Sequence, residues 1–210
     1  DLLYIGKSPD KPSGIALADS SGNPQLGFQS WHSNYLNIPW SAGYNAIVAD
    51  FNGDQRADIL LQRTTPGNHY LLLANADANV GPVGQILGIS QTIAQTGFGI
   101  AWSADQHRIV AGNFDGDVNG RADLFFQATV DGGTHAIVLS TGVFDYTSGG
   151  TGNCGAGYAG HGPQQCWTDG YKGFKWSTRD SIVHAGDFTG DGKADLLVQA
   201  KPTFVTIDYD

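Results

Sequence analysis

The sequence predicts an all-β protein built of repeated four-stranded units, and three observations lead there. All 20 acidic residues are Asp and none is Glu, and Gly is abundant at 30 of 210 residues. Asp and Gly favour turns and caps, whereas Glu favours helices. The apolar residues fall in runs of about four to six, rich in β-branched and aromatic side chains and bounded by Gly, Pro, Asn or Asp, as strands are. Finally, the chain repeats itself.

Three segments carry the repeat: Asp50-Phe-Asn-Gly-Asp-Gln-Arg-Ala-Asp58, Asn113-Phe-Asp-Gly-Asp-Val-Asn-Gly-Arg-Ala-Asp123 and Asp187-Phe-Thr-Gly-Asp-Gly-Lys-Ala-Asp195. Each follows an apolar run (Ala46–Ala49, Arg108–Gly112, Ser181–Gly186) and precedes another that ends in Gln (Ile59–Gln62, Leu124–Gln127, Leu196–Gln199). A Trp stands upstream each time, at Trp40, Trp102 and Trp176. Asp1-Leu-Leu-Tyr4 fits the same frame as the end of a truncated loop. Further apolar runs follow at Ile15–Leu17, Tyr70–Leu73, Ala136–Leu139 and Phe204–Ile207, and weaker ones at Leu26–Phe28 and Gln85–Ile89. The chain reads as a single repeat region over 1–210, with units at about 1–57 (truncated start), 58–122, 123–194 and 195–210 (partial). About four short strands per unit of roughly 60–70 residues suits one blade of a β-propeller. The count comes to about three and a half blades, which fits part of a seven-bladed propeller. A β-sandwich with chance Asp-Gly turns and a solenoid are the rival arrangements.

Within the loops, oxygen-bearing side chains recur at alternate positions. The first loop offers Asp50, Asn52, Asp54 and Asp58, with the carbonyl of Arg56. The third offers Asp187, Thr189, Asp191 and Asp195, with the carbonyl of Lys193. The middle loop is two residues longer. Aligned from its end, where Asn-Gly-Arg-Ala-Asp matches Asp-Gly-Lys-Ala-Asp, it offers Asp115, Asp117, Asn119 and Asp123, with the carbonyl of Arg121 and with Asn113 outside. A hard cation takes six to eight oxygens, and Ca²⁺ tolerates irregular geometry better than Mg²⁺ does. About three Ca²⁺ per chain are expected. An EF-hand is excluded, because position 12 is Leu61, Phe126 or Val198 instead of Glu and the flanks read as strands. Asx side chains that only make turns are the plainer alternative.

The Asp-Phe-x-Gly-Asp-x-[Arg/Lys]-Ala-Asp pattern followed by Leu-Leu-x-Gln resembles the FG-GAP/VCBS repeat of integrin α-subunit propellers and of secreted bacterial, toxin-associated proteins. That resemblance covers nearly the whole chain. It implies a propeller, typically seven-bladed, with Ca²⁺ held by the loop residues named above. Related repeats also occur in a sugar-binding propeller. The longer middle loop, Thr189 and the incomplete blade count depart from the pattern.

The two cysteines, Cys154 and Cys166, bracket a Gly-rich insertion in the third unit. Their even number and close spacing suggest a disulfide, and with it an oxidising, extracellular or cell-surface setting. Zinc with His161 as a further ligand is the alternative, although the spacing matches no common zinc pattern. Tyr158 and Trp167, in and beside the insertion, do not recur in the other units. They are the candidate ligand-binding aromatics.

A net charge of −9 speaks against nucleic-acid binding, and no apolar run is long enough to span a bilayer as a helix. Without Glu there is no His-Glu-x-x-His motif, and neither a Gly-x-Ser-x-Gly elbow nor a phosphate loop is present. No enzyme is therefore expected. The functional expectation is a secreted, Ca²⁺-binding interaction scaffold with a protein or glycan partner. A lectin-like propeller and a self-assembling extracellular protein, whose copies complete the propeller as a homo-oligomer, are the alternatives.

Overall fold

The computed structural model describes residues 2–8, 10–16, 29–31, 34–40, 43–74, 87–93, 96–97, 100–140 and 165–202. Among them the protein is all-β, with antiparallel sheets and a single 3₁₀ turn at Tyr171–Gly173. In chain order the strands are β1 (Leu2–Tyr4), β2 (Ser13–Ala16), β3 (Gln29–Trp31), β4 (Asn34–Tyr35), β5 (Ile38–Pro39), β6 (Tyr44–Ala49), β7 (Asp58–Arg63), β8 (His69–Ala74) and β9 (Leu87–Ile93). There follow β10 (Thr96–Gly97), β11 (Ile100–Ala101), β12 (His107–Gly112), β13 (Asp123–Ala128), β14 (His135–Val138), β15 (Gln165–Trp167), β16 (Ser181–Gly186) and β17 (Asp195–Ala200).

Two sheets are four-stranded meanders, β6-β7-β8-β9 and β12-β13-β14-β15. Before them lies β1-β2-β3, and after them the pair β16-β17. The sheets run across the sequence boundaries at 58 and 123, because the strand before each Asp loop pairs with the strand after it. Register makes the repeat concrete: Ala49 pairs with Asp58, Gly112 with Asp123 and Gly186 with Asp195. By the same register the counterparts of His184 are Ile47 and Val110, and His184 is exposed. The Gly-rich insertion returns as β15, a fourth strand that its composition conceals. Phe204–Ile207 and Leu26–Phe28 lie outside the described residues.

The second strand of each full sheet is the most buried. Ile59, Leu60 and Leu61 are at most 3% exposed, and Leu124, Phe125 and Phe126 are fully buried. Each is a continuous apolar run because both of its faces are covered. One core joins the two full sheets, with Phe51, Leu60 and Leu71 meeting Trp102, Ile109, Leu124 and Phe126. Trp102 meets Phe126 edge-on at 4.9 Å. A second core joins β1 and β2 to the first full sheet through Ile15, Trp40 and Leu61. A third, around Phe125, Trp176 and Val183, joins β13 to the last pair. No helix among the described residues is long and apolar enough to cross a membrane.

Units are joined by polar links as well as by these cores. The first strand β12 packs beside β6 and beside β16. Gln62, which ends Ile-Leu-Leu-Gln, donates from Nε2 to the carbonyls of Trp102 (2.8 Å) and His107 (2.6 Å) in the next unit. Gln127 repeats this, donating to Trp176 O (2.8 Å) and Ser181 O (3.2 Å). Both Gln side chains are buried, whereas Gln199 is exposed. Gln127→Leu would leave two buried carbonyls without a donor and is expected to cost about 2–3 kcal/mol. Gln199→Leu should change stability by less than about 0.5 kcal/mol. Urea denaturation of the two variants checks the contrast, and equal effects would show that the Gln residues do not join the units.

Candidate functional site

The three Asp loops leave the first strand of a sheet and enter the second, and they share one hydrogen-bond pattern. In the first, Asp50 Oδ1 accepts the N–H groups of Gly53 (2.6 Å) and Asp54 (3.1 Å), and Oδ2 accepts that of Gln55 (2.7 Å). In the third, Asp187 does the same for Gly190, Asp191 and Gly192. These donors, the Gly192 N–H foremost, hold the Asp187 carboxyl below its usual range. The fifth-position carboxylate accepts the N–H of the basic residue two places on, Arg56 from Asp54 and Lys193 from Asp191. The third position takes part in loop 1, where Asn52 Oδ1 accepts Asp54 N–H at 2.9 Å.

The middle loop corrects the end-aligned register. Asn113 Oδ1 accepts Gly116 N–H (2.9 Å) and Asp117 N–H (3.1 Å), which places Asn113 where Asp50 and Asp187 stand. Asp115 Oδ1 accepts Asp117 N–H at 2.9 Å, as Asn52 does for Asp54. Asp117 Oδ1 accepts Arg121 N–H, as Asp54 does for Arg56. Asp115 and Asp117 therefore occupy the third and fifth positions instead of the first and third. Asn119 falls in the two-residue insertion, and Asn113 is an inner residue. The turn forces this register, since Gly53, Gly116 and Gly190 all take positive φ, at 80°, 73° and 79°, which only Gly adopts without strain.

The last Asp of each loop has a different role. Asp58 is fully buried; its Oδ2 accepts Phe51 N–H (2.9 Å) and its Oδ1 accepts Ala74 N–H (2.8 Å) at the far end of β8. Asp123 repeats this with Phe114 (2.6 Å), Asp115 (3.2 Å) and Ser140 (2.6 Å). Asp195, half-buried, accepts from Phe188 and Thr189. Burial raises the Asp58 carboxyl, with repulsion from Asp54 and Asp50 adding to it. Burial and repulsion from Asp115 push Asp123 up to about 6.

The loops also touch one another. Ala122 N–H donates to Asp50 O at 2.8 Å and Ala194 N–H to Asn113 O at 2.7 Å, each from one unit to the one before. A Cβ on Gly53 would meet Arg121 Cγ at 3.0 Å, and one on Gly116 would meet Lys193 Cγ at 2.8 Å. The basic residue of the second loop and that of the third thus lie over the glycine turn of the loop before. Within its own loop Arg121 Nη2 is 2.6 Å from Asp117 Oδ2, and Arg56 Nη1 is 2.9 Å from Asp54 Oδ2.

The donor chemistry of these loops is all oxygen, as Ca²⁺ requires. The mutual repulsion of Asp58 with Asp54 and Asp50, and of Asp123 with Asp115, is what a bound cation would relieve. The present arrangement is not a finished site. Among the described residues no group of three or more His, Cys, Asp or Glu side chains stands in metal-holding geometry. The first-position oxygens face backbone amides, and Asp58 and Asp123 are bonded to amides through both oxygens.

Elsewhere, Cys166 on β15 is disulfide-bonded, while Cys154 and Tyr158 lie outside the described residues. Trp167 is half-buried and lies among other rings. It stacks on Phe125 at 5.6 Å and 11°, meets Trp176 edge-on at 5.0 Å and tilts against Tyr171 at 5.3 Å. The exposed aromatics nearby are Tyr171 and Phe174.

The sequence reading missed a buried residue that ends the second strand. Arg63 N–H donates to His69 Nδ1 (2.9 Å) and Ala128 N–H to His135 Nδ1 (3.1 Å), and Gly6 N–H donates to Ser13 Oγ (3.0 Å) at the same place. Both imidazoles are fully buried, and burial holds His69 down at about 4. The available signal was a His directly before the apolar runs at Tyr70–Leu73 and Ala136–Leu139.

Comparison with protein-family models, with curated proteins and with solved structures finds no match for this chain. The likeness to FG-GAP/VCBS repeats rests on the motif alone.

Asp123 holds its proton more tightly folded than unfolded. Its contribution is full below about pH 4 and is lost as pH rises through about 6. With chelator present, the stability difference between wild type and Asp123→Asn should move in favour of the variant by roughly 2–3 kcal/mol across that window. Urea midpoints measured at several pH values read it, and a difference independent of pH would contradict the buried-carboxylate account.

Proposed function

We propose that this chain is part of a secreted β-propeller that serves as an interaction scaffold and binds Ca²⁺ in its Asp loops, the metal being structural. One observation carries the reading. Three Asx-rich loops with the same hydrogen-bond pattern sit at the same place in successive units, and the second and third are each bonded to the loop before. A loop needed only as a turn would not have to keep carboxylate, amide or hydroxyl oxygens at its first, third and fifth positions.

The residues that would hold the cation are Asp50, Asn52 and Asp54 in the first loop, Asn113, Asp115 and Asp117 in the second, and Asp187, Thr189 and Asp191 in the third. The carbonyls of Arg56, Arg121 and Lys193 would complete the set together with the buried Asp58 and Asp123 and the half-buried Asp195. The cation would supply charge neutralisation. The chain's own residues hold the loop path, because amides gathered on the first-position oxygen keep the turn closed. Side-by-side packing of β6, β12 and β16, each the first strand of its sheet, supports blades arranged about an axis. The disulfide at Cys166 supports an oxidising, extracytoplasmic setting.

At ~1 mM Ca²⁺ and a site Kd of ~0.1 mM, each site adds about 1.4 kcal/mol by mass action. Three sites together should raise the melting temperature by roughly 10 °C for a chain of this size. Thermal melts in Ca²⁺ and in EDTA test this. A fall of that order on chelation supports structural cations, whereas superimposable melts would leave the loops as turns only.

A further inference from the structure

We infer that His69 and His135 make the two later junctions between units proton-gated: each ring must stay neutral for one unit to hold the next, and acid releases the hold. The case starts from hydrogen bonds. A neutral ring whose Nδ1 accepts an N–H, as His69 does from Arg63 and His135 from Ala128, carries its own proton on Nε2. A second proton has only Nδ1 to go to, where it meets the amide proton head-on. The Nε2 atoms offer no relief. That of His69 is buried without a hydrogen-bond partner, and that of His135 makes none either, facing Asp169 Oδ1 at 3.5 Å, too far for a good bond. A charged ring at these places has two donors and nothing well placed to receive them.

The clamped residues are the ones that reach the next unit. Arg63 accepts Ala104 N–H on its carbonyl at 2.8 Å, and Gln62 beside it holds the carbonyls of Trp102 and His107. Ala128 accepts Thr178 N–H at 2.9 Å, and Gln127 beside it holds those of Trp176 and Ser181. Each ring also packs on the Trp that its neighbouring Gln docks, His69 on Trp102 at 5.9 Å and His135 on Trp176 at 6.3 Å. Expelling the amide from Nδ1 therefore moves the very residues that carry the bonds between units. In the first sheet Ser13 Oγ takes the same place, and a hydroxyl accepts without titrating in this range. Only the later two junctions are gated.

The surroundings of the rings set the direction. Burial holds His69 down at about 4, and the Arg63 guanidinium adds to it. Burial also holds His135 below its ordinary value; Asp169 works against this and His107 adds to it. The aromatic rings around them, Trp102 at His69 and Phe125, Trp167 and Trp176 at His135, carry no charge. A His whose folded value lies below its unfolded one stabilises fully above about pH 6.5. For His69 that contribution is lost as pH falls through about 4. The inference uses no cation, so its test is run in EDTA throughout.

Urea denaturation of the full chain, of His69→Asn and of His135→Asn is followed from about pH 7 to about pH 3.5. Asn Oδ1 can stand where His Nδ1 stands, so each variant keeps the acceptor and loses the charge. Relative to His69→Asn, the wild-type unfolding constant should rise roughly 100-fold across that range. His135→Asn should shift the comparison in the same direction. Carboxylates titrate in all three chains and drop out of the difference. Should a variant fail to fold, ¹⁵N spectra of the wild type decide alone. The ring of His69 should stay neutral with its proton on Nε2 at about pH 5. As the rings charge, the Ala104 and Thr178 amides should exchange ahead of those in the middle of β7 and β13. A wild-type-to-variant difference independent of pH, a His69 ring half-charged at about pH 6.5, or Ala104 and Thr178 amides that open only together with the sheets would overturn the inference.

Discussion

A carboxylate buried away from water must be met by donors, and each of the two four-stranded sheets is organised around one. Asp58 and Asp123 open the most buried strand of their sheets. Each gathers amides from the start of its own loop and from the end of the third strand, so that loop, second strand and third strand close on a single side chain. The other end of that strand is fixed by a buried acceptor, Nδ1 of His69 or His135, or Oγ of Ser13 in the first sheet. Unpaired polar groups at these depths would each cost on the order of 1–3 kcal/mol. The two clamps therefore select one register for strands whose apolar runs would otherwise tolerate a slip.

Coupling between units follows from that register. A second strand fixed at both ends brings its terminal Gln to the carbonyls of the next unit, at Trp102 and His107 or at Trp176 and Ser181. It also brings the loops close enough for the Ala122 and Ala194 amides to reach back to Asp50 and Asn113. Burial tracks this stacking. Phe51, under the second loop, is fully buried, its counterpart Phe114 is half-buried, and Phe188, with no described unit beyond it, is 60% exposed. Each unit thus depends on its neighbour to cover apolar surface, as expected of repeat architectures.

The strands around the loops were legible because their apolar runs, Asp ends and Gln ends recur as letters. The register of the middle loop was not. Asn-Gly-Arg-Ala-Asp matches the other loop endings so well that it draws the insertion to the wrong end, while Asn113 replaces the Asp that would have marked the true start. Strand β15 was hidden because a three-residue strand after a Gly-rich insertion has too little periodicity to read. The role of Gln62 and Gln127 could be seen as recurrence, but their partners lie 40 to 54 residues away and only packing reveals them. At the first junction the pattern breaks, since Ile5 stands where those Gln residues stand. The buried acceptors escaped notice because Ser13 and the two histidines share a hydrogen bond and not a residue type. Trp167, without a counterpart in the other units and so a candidate for binding, is half-buried and packs against Phe125, Tyr171 and Trp176.

The loops have two ways to satisfy the same oxygens. Asp50 and Asp187 collect backbone amides, which holds the turn, yet the loops retain more oxygen donors than a turn needs and carry carboxylates that repel one another. The most direct measurement is a crystal structure of the protein grown with Ca²⁺, examined for anomalous difference density. The account predicts one peak in each loop, with Asp54, Asp117 and Asp191 turned onto it. Density absent from all three loops, with every carboxylate still bonded to backbone amides, would contradict it.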